Sequence, residues 1–282
     1  MSENNLHFDA YTPAEMAARV ETVGVKKANL DTLTTLALAV LAGAFIALGA
    51  NFAIVVWTDN GLSYGLSRLA GGLAFTLGLI LVVVGGAELF TGNNLIIMAW
   101  ASKKVSTARV LRNWALVYLG NFVGAIVTAY GVYLSRSWAF DTYKVGAAAL
   151  NITTAKVGLD WIPAFTLGVF CNVLVCLAVW LCFSARSTTD KILAIIPPIS
   201  AFVAAGFEHS IANMYFIPLG IFLRAEPLVV AASGKTAEQL AGLTWEGFLL
   251  NNLLPVTLGN IVGGAIMVAA VYWFIYLRGT RR

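Results

Sequence analysis

FVAAGFEHSIANMYFIP, residues 202–218, places a carboxylate, an imidazole, a hydroxyl and an amide in the middle of a long apolar run. An ionisable side chain costs about 2.5–3.5 kcal/mol at the centre of a membrane helix, so it usually lines an aqueous path or pairs internally. Glu208 could line such a path, or it could bind the main-chain groups that a break in a buried helix leaves without hydrogen-bond partners. His209 favours function, because it is the only histidine beyond the polar amino-terminal arm and its ring exchanges a proton near neutral pH.

The composition is that of an integral membrane protein. Of 282 residues, 59% are hydrophobic and 11% are charged, and long uncharged segments separate the charges, so one membrane domain accounts for the chain. The formal charge of +4 does not predict nucleic-acid binding, because the basic residues stand at the ends of apolar spans. No cofactor is expected, and three cysteines within one apolar span predict small buried side chains without a disulfide or a metal: Cys171, Cys176 and Cys182.

Six apolar spans follow an amphipathic arm. Residues 12–30 carry apolar side chains at roughly helical spacing, which predicts a short helix on the membrane surface, with Thr12 as its cap and Pro13 in its first turn. We predict a cytoplasmic arm at 1–31, a six-span channel domain at 32–277 and a short basic cytoplasmic tail at 278–282. Four of the spans are uncharged and long enough for a core about 30 Å thick, namely 32–58, 113–135, 161–185 and 247–277.

The second and fifth spans are too long for one straight helix. Residues 69–102 hold one charged side chain, Glu88, and residues 192–223 hold only Glu208 and His209. At about 1.5 Å per residue, either run would reach about 50 Å as a continuous helix. Each is therefore predicted to be two half-helices joined by a non-helical turn at a glycine-rich join.

The distribution of Lys and Arg predicts that both termini are cytoplasmic. In that orientation the inner flanks carry eleven basic residues and the outer flanks six. The two longest hydrophilic loops, 136–160 and 224–246, then face outward. The inner residues are Lys26, Lys27, Lys103, Lys104, Arg109, Arg112, Arg186, Lys191, Arg278, Arg281 and Arg282, and the outer ones are Arg68, Arg136, Lys144, Lys156, Arg224 and Lys235.

An internal repeat divides the chain into two halves. GAELFTGNN (86–94) and GFEHSIANM (206–214) share Gly-x-Glu-x4-Asn at an offset of 120, and LGNFVGA (119–125) matches LGNIVGG (258–264) at an offset of 139. Chance likeness between glycine-rich helices is the competing explanation. Two halves of three spans each would be inverted about a pseudo-twofold axis, with the substrate at the midplane where the broken helices meet.

These residues predict a channel or transporter for a small polar solute, with its path between the two breaks. Half-helix amino termini offer free N–H groups, which favours a small anion. A cation would instead meet Glu88 and Glu208, unless the turn backbone already satisfies their charges. The residues alone leave this choice open.

Four segments resemble the formate/nitrite transporter family over essentially the whole chain: AELFTGNN at 87–94, GFEHSIANM at 206–214, its NMYFIPLGI continuation and LPVTLGNIVGG at 254–264. The resemblance implies an all-α, aquaporin-like fold of six transmembrane helices, as two inverted three-helix repeats with broken second and fifth helices. It also implies a homopentamer in the lipid bilayer of the inner membrane, with one pore per protomer. The chain contains no Asn-Pro-Ala motif, unlike aquaporins.

The resemblance further implies which residues form the pore. Thr91 would face His209 at its centre. The other members of the central proton relay would be Glu208 and Asn213, which together with Asn260 would also hold the broken helices. Apolar constrictions would lie on either side, at Phe75, Leu79, Leu89, Phe90 and Phe202. Polar groups near the pore mouths would govern selectivity, and these are Lys26, Lys156, Asn172 and Asn260.

Ordinary structural roles are open for several of these side chains. Phe75 and Phe202 are equally consistent with helix packing, since buried apolar side chains are common. Lys156 is consistent with a solvated loop charge. Thr91 is consistent with a simple helix cap.

Formate is the substrate that the resemblance implies. Apolar constrictions exclude a hydrated anion, but a weak-acid anion passes if His209, directly or through water, supplies a proton and the neutral acid loses it beyond. The ordinary imidazole pKa of about 6.5 suits pH-dependent passage. GFEHSIANM followed by FIPLG resembles the formate branch, whereas AELFTGNN is closer to the nitrite branch, so nitrite or hydrosulfide is the alternative.

Two other classes of function compete with an anion channel. An intramembrane enzyme is disfavoured, because the only histidines are His7 and His209 and no His, Cys or carboxylate cluster has metal-ligand spacing. A Ser210–His209 nucleophile pair is disfavoured too, since adjacent helical residues point about 100° apart. A water or glycerol pore is the other competitor, and it predicts flux that is indifferent to pH and to His209.

Overall fold

The computed structural model describes residues 9–279, and the regular elements in that range are all helices. The first eight residues of the predicted arm, which include His7, and residues 280–282 of the predicted tail lie outside the described residues. Within the described range, 6 helices are long and apolar enough to cross a membrane, or up to 7 if one bent pair is counted as a span. The chain is therefore an all-α, multi-pass membrane protein.

The helices correspond closely to the predicted spans. A 3-10 turn at Asn94–Ile96 joins α4 to α5, and π-helical segments at Gly247–Leu253 and Val262–Ala270 make the last span one helix, Gly247–Tyr276. In chain order the α-helices are α1 Pro13–Asn29, α2 Thr32–Trp57, α3 Tyr64–Gly85, α4 Phe90–Asn93, α5 Ile97–Ala101, α6 Thr107–Ser135, α7 Lys144–Val157, α8 Trp161–Cys182, α9 Thr188–Ala205, α10 Ser210–Leu223, α11 Pro227–Ser233, α12 Ala237–Leu240, α13 Leu254–Ile261 and α14 Val271–Tyr276.

A glycine caps the carboxyl end of both α3 and α9. Gly86 and Gly206 follow them with φ angles of 80° and 78°, a left-handed conformation that is unfavourable for a residue with a Cβ. The N–H group after each glycine donates to a carbonyl of the preceding helix, at 2.9 and 3.0 Å. The turns 86–89 and 206–209 then lead into α4 and α10.

The arm contains the predicted helix, α1. Thr12 caps it, Glu15 completes a capping box, and Pro13 occupies the first turn. The apolar face of α1 packs against α5 and against the 3-10 turn before it. The arm is therefore part of the packed body of the protein, which differs from the surface helix that the sequence predicts.

A buried helix stands where the sequence predicts an outward hydrophilic loop. Within residues 136–160, α7 buries Ala149, Leu150 and Thr153 and packs against α10 and α11. The loop prediction was wrong because the 14 residues of α7 are too short to cross a bilayer, yet long enough to bury one apolar face. The second predicted loop, 224–246, contains α11 and α12.

The spans pack in two groups. α2 contacts α3 and α6, while α8 contacts α9 and the last span. Glycines allow the close approach, since a Cβ at Gly124 or Gly263 would overlap the backbone of Val40 or Val169. α3 also packs on α9, α4 contacts α8, and α10 contacts α2 and α6. The two short helices that follow the glycine turns therefore begin between the groups.

Candidate functional site

Thr91 and His209 meet in the interior, between the two groups of spans. Thr91 Oγ1 lies 3.0 Å from His209 Nε2, and both side chains are buried. His209 stands at the cap position of α10, and Thr91 lies in the first turn of α4. Each side chain thus reaches the interior from a helix start, and the structure brings together the pair that the sequence places at the centre.

The hydrogen bonds of the imidazole define its neutral tautomer. Ala212 N–H donates to His209 Nδ1 at 3.1 Å, so this nitrogen is an acceptor. The ring proton is then on Nε2, which donates to Thr91 Oγ1. The hydroxyl hydrogen of Thr91 is left to point at a different acceptor.

Aromatic and aliphatic side chains flank this pair. The ring of Phe202 stacks on the imidazole with centroids 5.9 Å apart, and the edge of Phe75 meets Phe202 at 5.6 Å. Leu79 lies one helical turn from Phe75 on α3, and Leu89 ends the turn before α4. All four side chains are buried, so the centre is apolar apart from Thr91 and His209.

Phe90, which the sequence assigns to a constriction, lies elsewhere. Its ring packs against Trp114 at 6.0 Å and against Tyr118 at 4.9 Å, both on α6. It lines neither of the two cavities described below. The side chains of adjacent residues at a helix start point in different directions, so Phe90 faces α6 while Leu89 lines the arm-side cavity. A role of Phe90 in the constriction stays a prediction.

Two cavities approach the centre from opposite ends of α3. The α7-side cavity, of about 460 Å³, reaches Phe75, Phe202 and His209, and it includes Arg68 near the start of α3. The arm-side cavity, of about 480 Å³, reaches Leu79 and Leu89 and includes Gly86 beyond the end of α3. The buried centre therefore separates two chambers that could hold a solute.

Each cavity is lined by basic side chains from a short flanking helix. Lys156 of α7 lines one cavity, and Lys26 and Lys27 of α1 line the other. Lys156 Nζ lies 2.7 Å from Glu208 Oε1, and Lys27 Nζ lies 2.6 Å from Glu88 Oε1. Both glutamates are almost fully buried, so each acid is held as an ion pair at the wall of its cavity.

Glu208 and Asn213 tie the turn before α10 to its surroundings. Asn213 Nδ2 donates to Glu208 Oε2 at 2.7 Å and to Asn252 Oδ1 at 2.7 Å. Asn252 Nδ2 donates to the Lys156 carbonyl at 2.9 Å, which closes the network on α7. The Glu208 side chain is thus engaged with α7 and the last span. No hydrogen bond joins it to His209 in the described chain.

A matching network surrounds Glu88, and the sequence analysis missed it. Asn93 Nδ2 donates to Glu88 Oε2 at 2.6 Å and to Asn113 Oδ1 at 3.0 Å, and Asn113 Nδ2 donates to the Lys27 carbonyl at 3.1 Å. A signal for it was present. Asn93 is the asparagine of the Gly-x-Glu-x4-Asn repeat, and Asn113 precedes Asn252 by the same offset of 139 as the LGN repeat.

Asn172 and Asn260, which the sequence places near the pore mouths, are fully buried and line neither cavity. Asn260 Oδ1 accepts from Ser210 N–H at 2.9 Å, and its Nδ2 donates to the Glu208 carbonyl at 3.0 Å. Asn172 Nδ2 donates to the Asn260 carbonyl at 2.7 Å and to the Thr91 carbonyl at 3.3 Å. Their amide groups bind main-chain groups, and a role of Asn172 and Asn260 in selectivity stays a prediction.

Residues 9–279 contain no group of three His, Cys, Asp or Glu side chains placed to hold a metal ion. The three cysteines are buried and are free thiols. The polar side chains at the centre are the His209 imidazole and the Thr91 hydroxyl, which form a hydrogen bond.

Comparisons with known proteins agree on one family. The family model described as formate/nitrite transporter matches residues 14–274. The formate channel FocA of Escherichia coli (strain K12) is 43% identical over 274 residues, covering 96% of each chain. FocA of Haemophilus influenzae (strain ATCC 51907 / DSM 11121 / KW20 / Rd) is 40% identical, covering 95% of each chain. A solved structure described as a pentameric formate channel with formate bound is 44% identical, with a TM-score of 0.81 over 88% of this chain and 98% of that one. The chain therefore belongs to the formate/nitrite transporter family.

Proposed function

We propose that this protein is a membrane channel for formate, a small monovalent weak-acid anion. The names of its relatives support this substrate. The observation that carries the proposal is the Thr91–His209 contact, which lies where two cavities approach each other from opposite ends of α3. The relatives are channels, so the chain is a transport protein and not an enzyme.

Passage requires formate to lose its charge over a short distance. Phe75, Phe202, Leu79 and Leu89 offer no polar partner, and an unpaired anion is costly in such surroundings. Formate that reaches His209 accepts a proton that comes from water of the entry cavity. The imidazole binds this proton transiently and passes it on directly or through water, so that the ring is neutral before and after the transfer. Neutral formic acid then crosses the apolar side chains and releases the proton in the far cavity.

The surroundings of the imidazole suit a group that passes protons on. Ala212 N–H already donates to Nδ1, so a second ring proton would displace that hydrogen bond. The Nε2–H group and the Thr91 hydroxyl are the donors that formate would meet. Thr91 therefore orients the substrate, while His209 mediates the proton exchange.

The remaining predicted site residues fall into two roles. Lys26 adds positive charge to the arm-side cavity and raises the local concentration of anions, whereas Lys156 lines the α7-side cavity as the partner of Glu208. Glu208, Asn213 and Asn260 hold the turn from which His209 projects. This assignment moves Glu208 and Asn213 from the proton relay to its support.

Nitrite or hydrosulfide is the alternative substrate. The matching family model is named for nitrite as well as formate. Arg68, which lines the α7-side cavity, has two of its five donors engaged, since Nε donates to the Ala204 carbonyl and Nη2 to the Val203 carbonyl. A site with one imidazole and one hydroxyl discriminates weakly among small anions. A pore for water or glycerol is the less favoured third possibility.

The proposed architecture is aquaporin-like, with two inverted three-span repeats in which α3 with α4–α5 and α9 with α10 are broken spans. Matching contacts support it. Asn121 accepts from Phe90 N–H at 2.9 Å and donates to the Glu88 carbonyl at 2.9 Å, as Asn260 does for the other turn. The two Lys–Glu pairs and their asparagines follow the same correspondence.

The proposed assembly is a homopentamer in the cell's inner membrane, with one pore in each protomer. The solved relative described as a pentameric formate channel supports the pentamer. Both termini are proposed to be cytoplasmic, as the distribution of basic residues indicates. The division into a cytoplasmic arm at 1–31, a channel domain at 32–277 and a basic tail at 278–282 accompanies this topology.

Solute flux into liposomes that contain the purified protein tests the function. We expect formate to enter faster than nitrite, with a rate that rises as the external pH falls from about 8 to 5, and glycerol to enter no faster than in protein-free liposomes. Glycerol entry without formate entry at any pH would replace the anion channel by a neutral-solute pore.

A further inference from the structure

The main-chain carbonyl of Thr91 is held by two side chains from α8. Asn172 Nδ2 and Cys176 Sγ each donate to the Thr91 oxygen at 3.3 Å. The two donors are one helical turn apart, and both are fully buried. Asn172 also contacts the Asn260 carbonyl, whereas the thiol of Cys176 has the Thr91 carbonyl as its nearest acceptor. The thiol has one hydrogen to donate, and the Thr91 carbonyl, at 3.3 Å, is a closer acceptor than Asn172 Oδ1, at 3.8 Å.

Gly264 of the last span leaves the space in which these groups meet. A Cβ at this position would overlap Asn172 Nδ2 and would lie 2.8 Å from Cys176 Sγ and 2.9 Å from Asn94 Cβ. The Oδ1 atom of Asn94 has no hydrogen-bond partner in the described chain. A glycine is thus required for a polar cluster, made of Asn94, Asn172 and Cys176, to pack behind the Thr91 main chain.

The corresponding position in the other half of the chain has no such cluster. The main-chain N–H group of Glu88 donates to the Leu38 carbonyl in α2, and that of Glu208 donates to the Leu167 carbonyl in α8. Leu38 and Leu167 thus occupy equivalent places, so residues of α2 and α8 correspond at an offset of 129. By that offset Cys176 corresponds to Ala47.

The same offset pairs Asn172 with Gly43, and the LGN repeat pairs Gly264 with Ala125. Side chains of these types cannot donate to a carbonyl. The first half of the chain therefore adopts the corresponding structure without polar side chains at these positions. The cluster is present only behind Thr91, so packing of the fold does not explain it.

We propose that Cys176 is a positioning residue for Thr91. Its thiol, with Asn172 beside it, fixes the Thr91 peptide so that the hydroxyl stays 3.0 Å from His209 Nε2. Without the thiol the peptide has one donor fewer and the Thr91 hydroxyl loses its fixed direction. Misplacement of a reacting group by about 1 Å lowers rates by as much as about a hundredfold.

Transport assays of matched cysteine variants test this, and they rest on the proposed function. Cys176→Ala is expected to lower formate flux about fivefold, and Cys176→Ser, which keeps a donor, to recover at least half of it. Cys171→Ala removes the same atoms from the same buried helix and is expected to leave the flux unchanged. Cys176→Val keeps the volume without the donor and replaces the alanine variant if that variant does not assemble. Equal flux in the position 176 and position 171 variants would overturn the proposal.

A second measurement does not depend on the substrate. The chain has 2 histidines, so His7→Asn leaves His209 as the sole source of imidazole nitrogen signals in a ¹⁵N-histidine NMR spectrum. The Nε2 signal is expected to move in Cys176→Ala and to stay in place in Cys171→Ala. A signal that does not move would contradict the positioning role. If it moves as expected in a protein that carries no formate, the proposed function is wrong while the positioning of Thr91 by Cys176 stands.

Discussion

His209 and its counterpart Leu89 differ in chemistry but not in backbone conformation. Both precede a short helix with φ of −108°, and their ψ angles are 114° and 125°. The conformation of each turn is therefore set by the backbone and by the asparagine that binds it, Asn121 or Asn260. In one half of the chain an apolar side chain, that of Leu89, is tolerated at this position. The turn therefore does not itself require an imidazole at this position.

We predict that His209→Leu keeps the fold and abolishes transport. The variant loses the hydrogen bond from Ala212 N–H to Nδ1, which as a helix cap costs about 1 kcal/mol. Formate flux should fall about a hundredfold, the scale of a lost proton-transfer group. Flux in liposomes and the melting temperature of the detergent-solubilised protein measure the two effects. Unchanged flux in a well-folded variant would remove His209 from the mechanism.

The Lys156–Glu208 pair gives a second prediction at this scale. Because the side chains are 15% and 5% exposed, Glu208→Gln should destabilise the protein by about 3–5 kcal/mol, the usual cost of leaving a buried charge unpaired. Thermal unfolding measures this. Lys144→Met is the control, since its partners Asp59 and Asp141 are exposed and such pairs contribute at most about 1 kcal/mol. Equal losses in the two variants would show that burial of the pair does not matter.

Sequence reasoning located the central pair but not every neighbour. Thr91 and His209 carry the resemblance motifs, so their proximity follows from recognised segments. Phe90 faces α6, and Asn172 and Asn260 face backbone carbonyls, because the group that a side chain meets depends on how the helices pack around it. A polar residue in an apolar span can bind solute or backbone, and only the structure distinguishes the two.

At the scale of elements, the two glycine turns place α4 and α10. Gly86→Ala or Gly206→Ala should each cost about 1–2 kcal/mol, because a Cβ is unfavourable at φ near 80°. Gly131→Ala is the control. It lies within α6 with no atom near its Cβ, so alanine should stabilise the protein by up to about 1 kcal/mol. Melting temperatures in detergent compare the three, and a loss at position 131 as large as at 86 would contradict the turn argument.

The two short helices that flank the cavities, α1 and α7, were the least predictable elements. α1 was predicted from its cap and its periodicity, yet its burial by α5 was not. α7 was missed because 14 residues with basic flanks resemble an exposed loop. The two helices correspond at the offset of 129 that relates Lys27 to Lys156, but the sequence match there is limited to that lysine and to Ala18 with Ala147. A contact pattern can thus repeat where the sequence pattern is too weak to detect.

At the scale of the whole molecule, the proposed inverted repeat predicts matched energetics. Asn121 and Asn260 each satisfy three buried backbone groups at equivalent points. Asn121→Ala and Asn260→Ala should therefore lower stability by similar amounts, about 2 kcal/mol or more, because each leaves buried polar groups unpaired. Thermal unfolding of both variants checks this. A large loss in one and none in the other would argue against equivalent halves.

The overall architecture was the most predictable feature. Long uncharged segments give the membrane spans almost directly, because no other environment accommodates them, and the helices begin and end within a few residues of those segments. What the sequence does not show is how closely the spans within each half pack, since that approach depends on glycines such as Gly124 and Gly263 that make backbone contact possible.

The central claim is that formate crosses as the neutral acid with a proton that His209 exchanges. The most direct test uses liposomes that contain the protein and, inside them, a pH-sensitive dye. An inward formate gradient is applied while potassium and valinomycin hold the membrane potential constant. The account predicts acidification of the interior in step with formate uptake, reduced to the protein-free level by His209→Leu. Rapid formate entry without acidification would show that the anion crosses with its charge, and would contradict the account.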